Sequence, residues 1–563
     1  MSGDRKMKRD TKRTTRLTIR HTAVVLACAW LAGCATEPYE VPAMPLPATY
    51  QEAEAVQHQD AIASDWWRAY DDATLDALLA RIDVSNQSLL KSMALLRDAR
   101  AQVAAARADY FPTVGAAASV TSTHLSANVL GHSLAGRTTP DHLIGLGATW
   151  EPDLFGRIGN NVDAAKARLQ ASADDVAAVR LSLLAEAAID YFGIRSLDRE
   201  AALLQQTVDA YASVLQLVTN RYLGGIAAES DVAQAKARVE GTRAQLTDLQ
   251  LARTQLMHAL ATLLGEPAST FTLPVATSNP GETSIALPAT PAAVPATLLQ
   301  RRPDIAAAER RVAAANAQIG VARAAFFPTL MLNLNGGLES SGLAGWLTAP
   351  SRFWAVGPSL AATIFDGGKR QAGVDSARTQ FDASAADYRQ TVLNAVQDVE
   401  DNYAALRLLD EEAASQRAAV TASDRALQQA TERYRKGASA YLDVNVAQAT
   451  ALTDARALEA VHRRQLTASV SLFRALGGGW DRKDGKTGEP AEASTPAQRL
   501  GERRASPGST CIYDTSTGRA QWPYARGPYS QVSLTPQEDR HALQHYPRRH
   551  PPVRGAGAML IGA

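Results

Sequence analysis

The chain has 563 residues and a formal net charge of +1. It is long enough for a large core or several domains, and it lacks the charge excess that marks a nucleic-acid partner. Alanine is abundant and aromatic residues make up 6% of the chain, which favours helix over an all-β fold. Cys28, Cys34 and Cys511 give neither a disulfide framework nor metal-ligand spacing. The histidines are scattered without an HExxH pattern, and the glycine run 477–479 reads as a helix end rather than a phosphate loop. No enzymatic constellation and no cofactor site follow from such a pattern.

The first predicted element is an export signal. Arg5, Lys6, Lys8, Arg9, Lys12, Arg13, Arg16 and Arg20 precede an apolar run from Thr22 to Leu31, which is too short to span a bilayer. The run ends in Leu31-Ala32-Gly33-Cys34. A basic region, a short apolar core and small residues describe a cleaved signal, residues 1–33; an ordinary signal that happens to contain a cysteine would read the same way. Leu-Ala-Gly-Cys also resembles the lipobox of bacterial lipoproteins. That resemblance implies cleavage before Cys34, a diacylglycerol on its sulfur and an acyl group on its amine. Two or more chains anchor a protein stably where one does not. Ala35, rather than Asp, after the cysteine fits the outer membrane.

Residues 34–64 contain Pro38, Pro42, Pro45 and Pro47 and read as a tether leading away from the lipid. Asp65-Trp66-Trp67 opens a helical stretch over roughly 72–109, with the tryptophans expected as packing residues. Pro112 ends it. Strands are predicted at about 113–122 and 142–152, the second from the alternation of Ile144, Leu146, Ala148 and Trp150 with Gly145, Gly147 and Thr149. The same sequence of elements recurs. Phe327-Pro328 ends a helix, and strands follow at about 328–338 and 353–366, with Leu330, Leu332 and Leu334 alternating with Met331, Asn333 and Asn335. Alternation over about ten residues marks a membrane barrel strand; taken singly, each pair could be a soluble hairpin.

The two long stretches that follow the strand pairs repeat at a fixed offset. Tyr222, Gly225 and Asp231 recur as Tyr434, Gly437 and Asp443, each 212 residues on, and Leu264-Gly265 recurs as Leu476-Gly477. A register held that far means a duplicated half-molecule. Between Asn160 and Tyr222, and between Lys369 and Arg435, there is no proline and a single glycine. Val392, Val396, Val399, Tyr403 and Leu406 form a coiled-coil-like seam. A helix of this size is about 100 Å long. Gly224, Gly225 and Gly437 are expected to stop these helices. Return helices follow from Glu229 to Leu264 and from Leu442 to Leu476, and a further helix from Arg302 to Phe326 leads into the second strand pair. The predicted organisation is therefore a first repeat at 65–296, with a long hairpin at about 157–264 and an equatorial segment at 265–296. A second repeat occupies 297–480, with a long hairpin at about 369–476. Residues 481–563 are rich in Arg, Pro, Gly and Ser, without periodicity, and read as disordered.

No run in the mature chain has transmembrane-helix length, so a membrane crossing must use strands. Four strands cannot close a barrel, and open edges are not tolerated in lipid. Other copies of the chain must complete it, and a trimer with twelve strands is the simplest solution.

Over residues 34 to 480 the chain resembles the TolC-like outer-membrane factors, most closely the lipoprotein branch that serves resistance-nodulation-division (RND) efflux pumps. The residues that carry this are Leu-Ala-Gly-Cys34, Asp65-Trp66-Trp67, Phe111-Pro112, Phe155-Gly156, Arg301-Arg302-Pro303-Asp304-Ile305, Phe326-Phe327-Pro328, Phe365-Asp366-Gly367-Gly368, Arg433-Tyr434 with Gly437, and Ala475-Leu476-Gly477-Gly478-Gly479-Trp480. The resemblance implies a mainly α channel-tunnel: a homotrimer with a 12-stranded β-barrel in the outer membrane and a long α-helical barrel in the periplasm. It implies a periplasmic adaptor (membrane fusion) protein and an inner-membrane RND transporter as partners, and a passive exit duct as function. It places Leu442 and Asp443 at a periplasmic constriction, and Asp231 with Tyr434 in a polar link between the two hairpins. Rings of carboxylates favour cations; equally, Asp231 and Asp443 suit any helix N-terminus. Val446 stands where some members carry a second constriction carboxylate, and Ser439 where the archetype has Arg. Competing expectations are a lipid-anchored coiled-coil scaffold and an exit channel for proteins or metal ions.

Overall fold

The computed structural model describes residues 39–52, 62–128, 131, 133–275, 285–291 and 295–480. The predicted signal, Cys34 and the 481–563 tail lie outside the described residues. In chain order the elements are α1 (Ala73–Ser85), α2 (Gln87–Ala108), β1 (Thr113–His124), β2 (Thr138–Trp150), α3 (Arg157–Leu223), α4 (Glu229–Leu263), α5 (Pro295–Arg301), α6 (Pro303–Ala324), β3 (Thr329–Ser340), β4 (Arg352–Ala361), α7 (Lys369–Arg435) and α8 (Tyr441–Ala475). A 3₁₀ turn at Trp66–Tyr70 precedes α1.

The duplication is visible element by element. The long helices α3 and α7 have 67 residues each, the return helices α4 and α8 have 35 each, and α2 and α6 have 22 each. From α3 onward the copies are 212 residues apart, whereas β1 and β3 both start with Thr, at 113 and 329, 216 apart. The first strand hairpin is longer, so the single offset read from the helices does not extend upstream. Each long helix packs against its return helix on one part of its length and against α2 or α6 on the other.

The four strands form one antiparallel sheet in the order β1-β2-β3-β4. Its register joins the apolar positions into a single face. Val114 pairs with Ala148, Ala148 with Leu334 and Leu334 with Val356; one step on, Ala116 pairs with Leu146, Leu146 with Gly336 and Gly336 with Trp354. Directly paired side chains share a face, so the period-two alternation of each strand becomes a continuous apolar surface. Its Val120, Ile144, Leu146, Leu334, Trp354 and Val356 are exposed. The opposite face carries Thr149, Asn333, Asn335 and glycines. β4 ends at Ala361 rather than running to 366, because Thr329–Ala361 is the last pair and Pro328 before it has no N–H to offer. Among the described residues no helix is long and apolar enough to cross a membrane, which leaves the sheet.

The core sits at the waist of the helices. Trp66, Tyr70, Leu75, Leu79, Ile82, Leu184, Tyr191, Phe192 and Leu260 are buried together, and Trp66 stacks on Phe473 at 5.5 Å. A second core forms on α7 from the predicted seam: Val392, Val399 and Tyr403 are buried, with Val396 and Leu406 partly so. The Pro-rich segment is not a free tether over residues 39–52. Tyr39 donates to the Glu309 carboxylate at 3.0 Å, the amides of Gln51 and Glu52 donate to Glu400, and Tyr50 packs on Tyr403. Composition alone flagged the prolines; Tyr39, Met44, Leu46 and Tyr50 spaced between them are what fasten the segment as a strap.

All four long-hairpin helices end alike. The amides of Gly225, Gly265, Gly437 and Gly477 bond the carbonyl three residues back, the next amide bonds the carbonyl five back, and these glycines have φ of 71, 71, 75 and 94°, the Schellman arrangement. Gly224 is different: its φ of −80° matches the −82° of its counterpart Lys436, so nothing there requires glycine. At the waist ends a Cβ on Gly265 would meet the Ser85 carbonyl oxygen, and one on Gly477 the Arg301 carbonyl oxygen. We expect Gly477→Ala to destabilise by about 3 kcal/mol or more, from left-handed strain plus overpacking, and Gly224→Ala to be near neutral, both read by thermal melts of the purified protein.

Asp190 on α3 is half-buried beside Glu186, and burial raises its carboxyl to about 6. A raised acid opposes folding where it is ionised. This penalty is full above pH 6 and is relieved as pH falls toward the unfolded value near 4. Its counterpart in the second repeat is Asn402. Asp190→Asn should therefore raise the melting temperature at pH 7 and change it little at pH 4; a gain equal at both pH values would refute this account.

Candidate functional site: the paired hairpin tips

The turns between α3 and α4 and between α7 and α8 lie side by side. Val218, Ala235, Tyr434, Tyr441 and Val444, drawn from all four helices, form a small buried cluster. Tyr434 and Tyr441 meet edge-on at 5.8 Å. The guanidinium of Arg221 lies 4.4 Å from the centre of the Tyr434 ring and donates to the Arg435 carbonyl at 3.0 Å, so one cation both covers the ring and caps the neighbouring helix end.

Asp231 and Asp443 each fall in the first turn of a return helix whose N-cap is alanine, Ala228 or Ala440, without side-chain capping. Carboxylates there offset the unpaired amides and the helix dipole. Asp443 is exposed and Asp231 half-buried. The expected Asp231–Tyr434 link is not formed: the Tyr434 hydroxyl is buried without a hydrogen-bond partner. The nearby Asp231 charge instead adds to the raised pKa of Tyr441, whose chief cause is burial. The ring of Tyr434 is turned into the apolar cluster, where packing with Tyr441 and Arg221 outweighs one phenol hydrogen bond.

Different residues join the hairpins. Arg238 Nε on α4 donates to Asn445 Oδ1 on α8 at 2.5 Å, and Asn445 Nδ2 donates to Gln234 Oε1 at 3.2 Å. Tyr211 donates to the Gln448 carbonyl at 2.9 Å. Further toward the waist, Arg456 bonds Glu200 and Gln245. Asn445 and Arg238 have no like residue in the other copy, so the repeat does not point to them. Their counterparts are Ala233 and Thr450, and that divergence on otherwise matched helices is the signal that could have found them.

Leu442 and Val446, one turn apart on α8, are 59% and 58% exposed. Their counterparts on α4 are Ser230 and Gln234. Of the two return helices only α8 thus carries this outward apolar pair, with Asp443 beside it; the first tip exposes Leu223 and Ile226 at its turn instead, 77% and 78%. Among the described residues no group of three or more His, Cys, Asp or Glu side chains could hold a metal.

A sheet apolar on its outer face and open at both edges, continuous with helices about 100 Å long that end in a paired tip, defines one protomer of a membrane channel extended by a helical tunnel. Residues 78–266 and 294–478 match the family described as Outer membrane efflux protein, and the chain belongs to that family, the TolC-like channels. It is 34% identical over 463 residues to outer membrane protein OprJ of Pseudomonas aeruginosa, covering 82% of this chain and 96% of OprJ. It is 30% identical to the cation efflux system protein CusC of Escherichia coli, covering 80% and 96%. Of solved structures, the outer-membrane channel OprN superposes with a TM-score of 0.74 at 31% identity, over 79% of this chain and 99% of that one. The open state of the Neisseria gonorrhoeae MtrE outer membrane channel gives 0.70 at 29%, over 80% and 99%. The protein is an outer-membrane channel of an efflux system and extends into the periplasm.

Proposed function

We propose that three copies close a twelve-stranded barrel and form a passive, gated exit duct, energised by an inner-membrane RND transporter through a periplasmic adaptor. The observation that carries this is the unbroken apolar face across four strands whose two outer edges are unpaired; lipid tolerates such edges only when another copy completes them. The transporter selects the solute. Relatives named for toluene, pyoverdine and cation efflux favour a duct indifferent to cargo. A lipid on Cys34 would add a second anchor. It would sit five residues before Tyr39, where the strap is fixed to α6.

The paired tips form the periplasmic gate in this reading. Leu442 and Val446 from three copies make an apolar collar, and Asp443 adds a carboxylate ring on its rim. Arg238, Asn445 and Arg221 hold the two hairpins together. Reconstitution in a planar bilayer tests the reading: a duct gives trimer-sized single channels, whereas a scaffold gives none. In the same bilayer Asp443→Ala should lower cation selectivity. Unchanged selectivity would leave Asp443 as a helix-capping charge only.

A further inference from the structure

We infer that the β3–β4 loop is a ledge folded outward over the apolar face of the barrel, and that it seats an outer-leaflet lipid whose headgroup carries phosphate. The loop, residues 341–351, contains two 3₁₀ turns, Leu343–Gly345 and Ala349–Ser351. It is internally fastened. Ser340 Oγ accepts from the Gly342 amide at 3.1 Å and lies 2.9 Å from the Gly342 carbonyl oxygen, while Thr348 and Ser351 both donate to the Gly345 carbonyl, at 2.6 and 2.7 Å.

The pairing register gives its direction. Ser340 pairs with His142, and both lie in the row that continues through Ile144–Leu338, the apolar outer face. The Trp346 ring packs on His142 at 5.5 Å. Two contacts from the same row, Ser340 to Gly342 and His142 to Trp346, pull the loop toward that face. A loop covering the channel mouth would touch the opposite row, that of Asp141, Leu143 and Glu339. The loop is at the end of the sheet remote from the helices, hence at the outer surface of the membrane.

Its exposed chemistry is amphiphilic. Leu343 and Leu347 are 70% and 69% exposed. Arg352, the first residue of β4, pairs with Leu338, so it stands on the same face, and it is exposed. Apolar side chains continuous with a lipid-facing surface are covered by acyl chains, since water contact there is unfavourable. A cation at the interface meets anionic headgroups. Together they fit one amphiphile, acyl chains against the leucines and a phosphate against Arg352.

The test uses the full chain with Cys511→Ser and either Leu347→Cys or, at the tip of the β1–β2 loop, Gly131→Cys, labelled with a polarity-sensitive dye. The labelled channel is reconstituted in phosphatidylethanolamine vesicles with or without lipid A. The Leu347 label should emit to the blue, be quenched by nitroxide on acyl chains and resist aqueous iodide, while the Gly131 label is quenched by iodide. Lipid A should strengthen the protection, and Arg352→Gln should abolish that increment while conductance stays unchanged. Iodide quenching of the Leu347 label as strong as that at Gly131 would overturn the proposal. So would a rise in conductance in the doubly substituted Leu343→Ser, Leu347→Ser protein, because the loop would then be obstructing the mouth. Conductance in the same vesicles reports separately on the channel itself.

Discussion

Asp198→Ala is expected to destabilise the protein by about 3–5 kcal/mol, the range for stripping one partner from a buried ion network. The Asp198 side chain is 1% exposed and receives Arg253 Nε at 2.5 Å and Arg195 Nη1 at 3.3 Å. The two arginines reach on to the carbonyls of Leu273 and Pro274. One carboxylate thus pairs with two cations that clamp the equatorial segment onto α3 and α4. Without it, two largely buried guanidinium groups face each other unpaired, and the segment loses its hold. The second repeat supplies the control. There Arg407 and Asp410 stand at the matching positions, but Gln465 replaces Arg253. Asp410 is exposed, and Arg407 turns to Glu52 of the N-terminal strap at 2.7 Å. In the second copy the same equatorial segment meets α7 differently, through the Pro291 carbonyl, which accepts from the Tyr403 hydroxyl at 2.8 Å. Asp410→Ala should therefore stay within about 0.5 kcal/mol of the parent, as exposed surface changes do. Thermal unfolding and limited proteolysis at residues 265–275 measure both variants. Equal melting temperatures for the two would show that the network carries no stability.

The second large effect is expected at the gate. Six apolar side chains, Leu442 and Val446 from three copies, would contribute on the order of 10 kcal/mol to the closed state if fully buried around the axis. A dry apolar constriction also blocks ions by excluding water. Replacing both residues by serine should raise single-channel conductance severalfold and admit large hydrophilic solutes to cells. The matching change on the first hairpin, Ser230→Leu, should leave conductance unaltered if that hairpin stays off the axis. Unchanged conductance in the doubly serine-substituted channel would remove the collar from the gate and leave Leu442 and Val446 as contacts elsewhere.

Much of the architecture was legible in the chain because it depends on local periodicity. Seams such as Val392–Val399–Tyr403 are readable along one helix, strand alternation is readable along one strand, and the left-handed glycines at 225 and 437 terminate helices through bonds within six residues. Their duplication multiplied each weak signal. The apolar face of the sheet is different in kind. It exists only because four separate alternations fall into one register, which pairing between distant strands decides.

The sequence by itself thus determined the helix lengths, the repeat and the membrane-suited strands, since these follow from propensity, period and the chirality that makes glycine the residue for φ > 0. Tertiary structure alone decided which residues hold the parts together. Arg238 meets Asn445 across 207 positions, Tyr39 meets Glu309 across 270, and Tyr434 gives its ring rather than its hydroxyl to the tip. Such contacts depend on how whole helices are placed in space. No local pattern encodes that placement, and each partner looks ordinary until the packing brings it to the other.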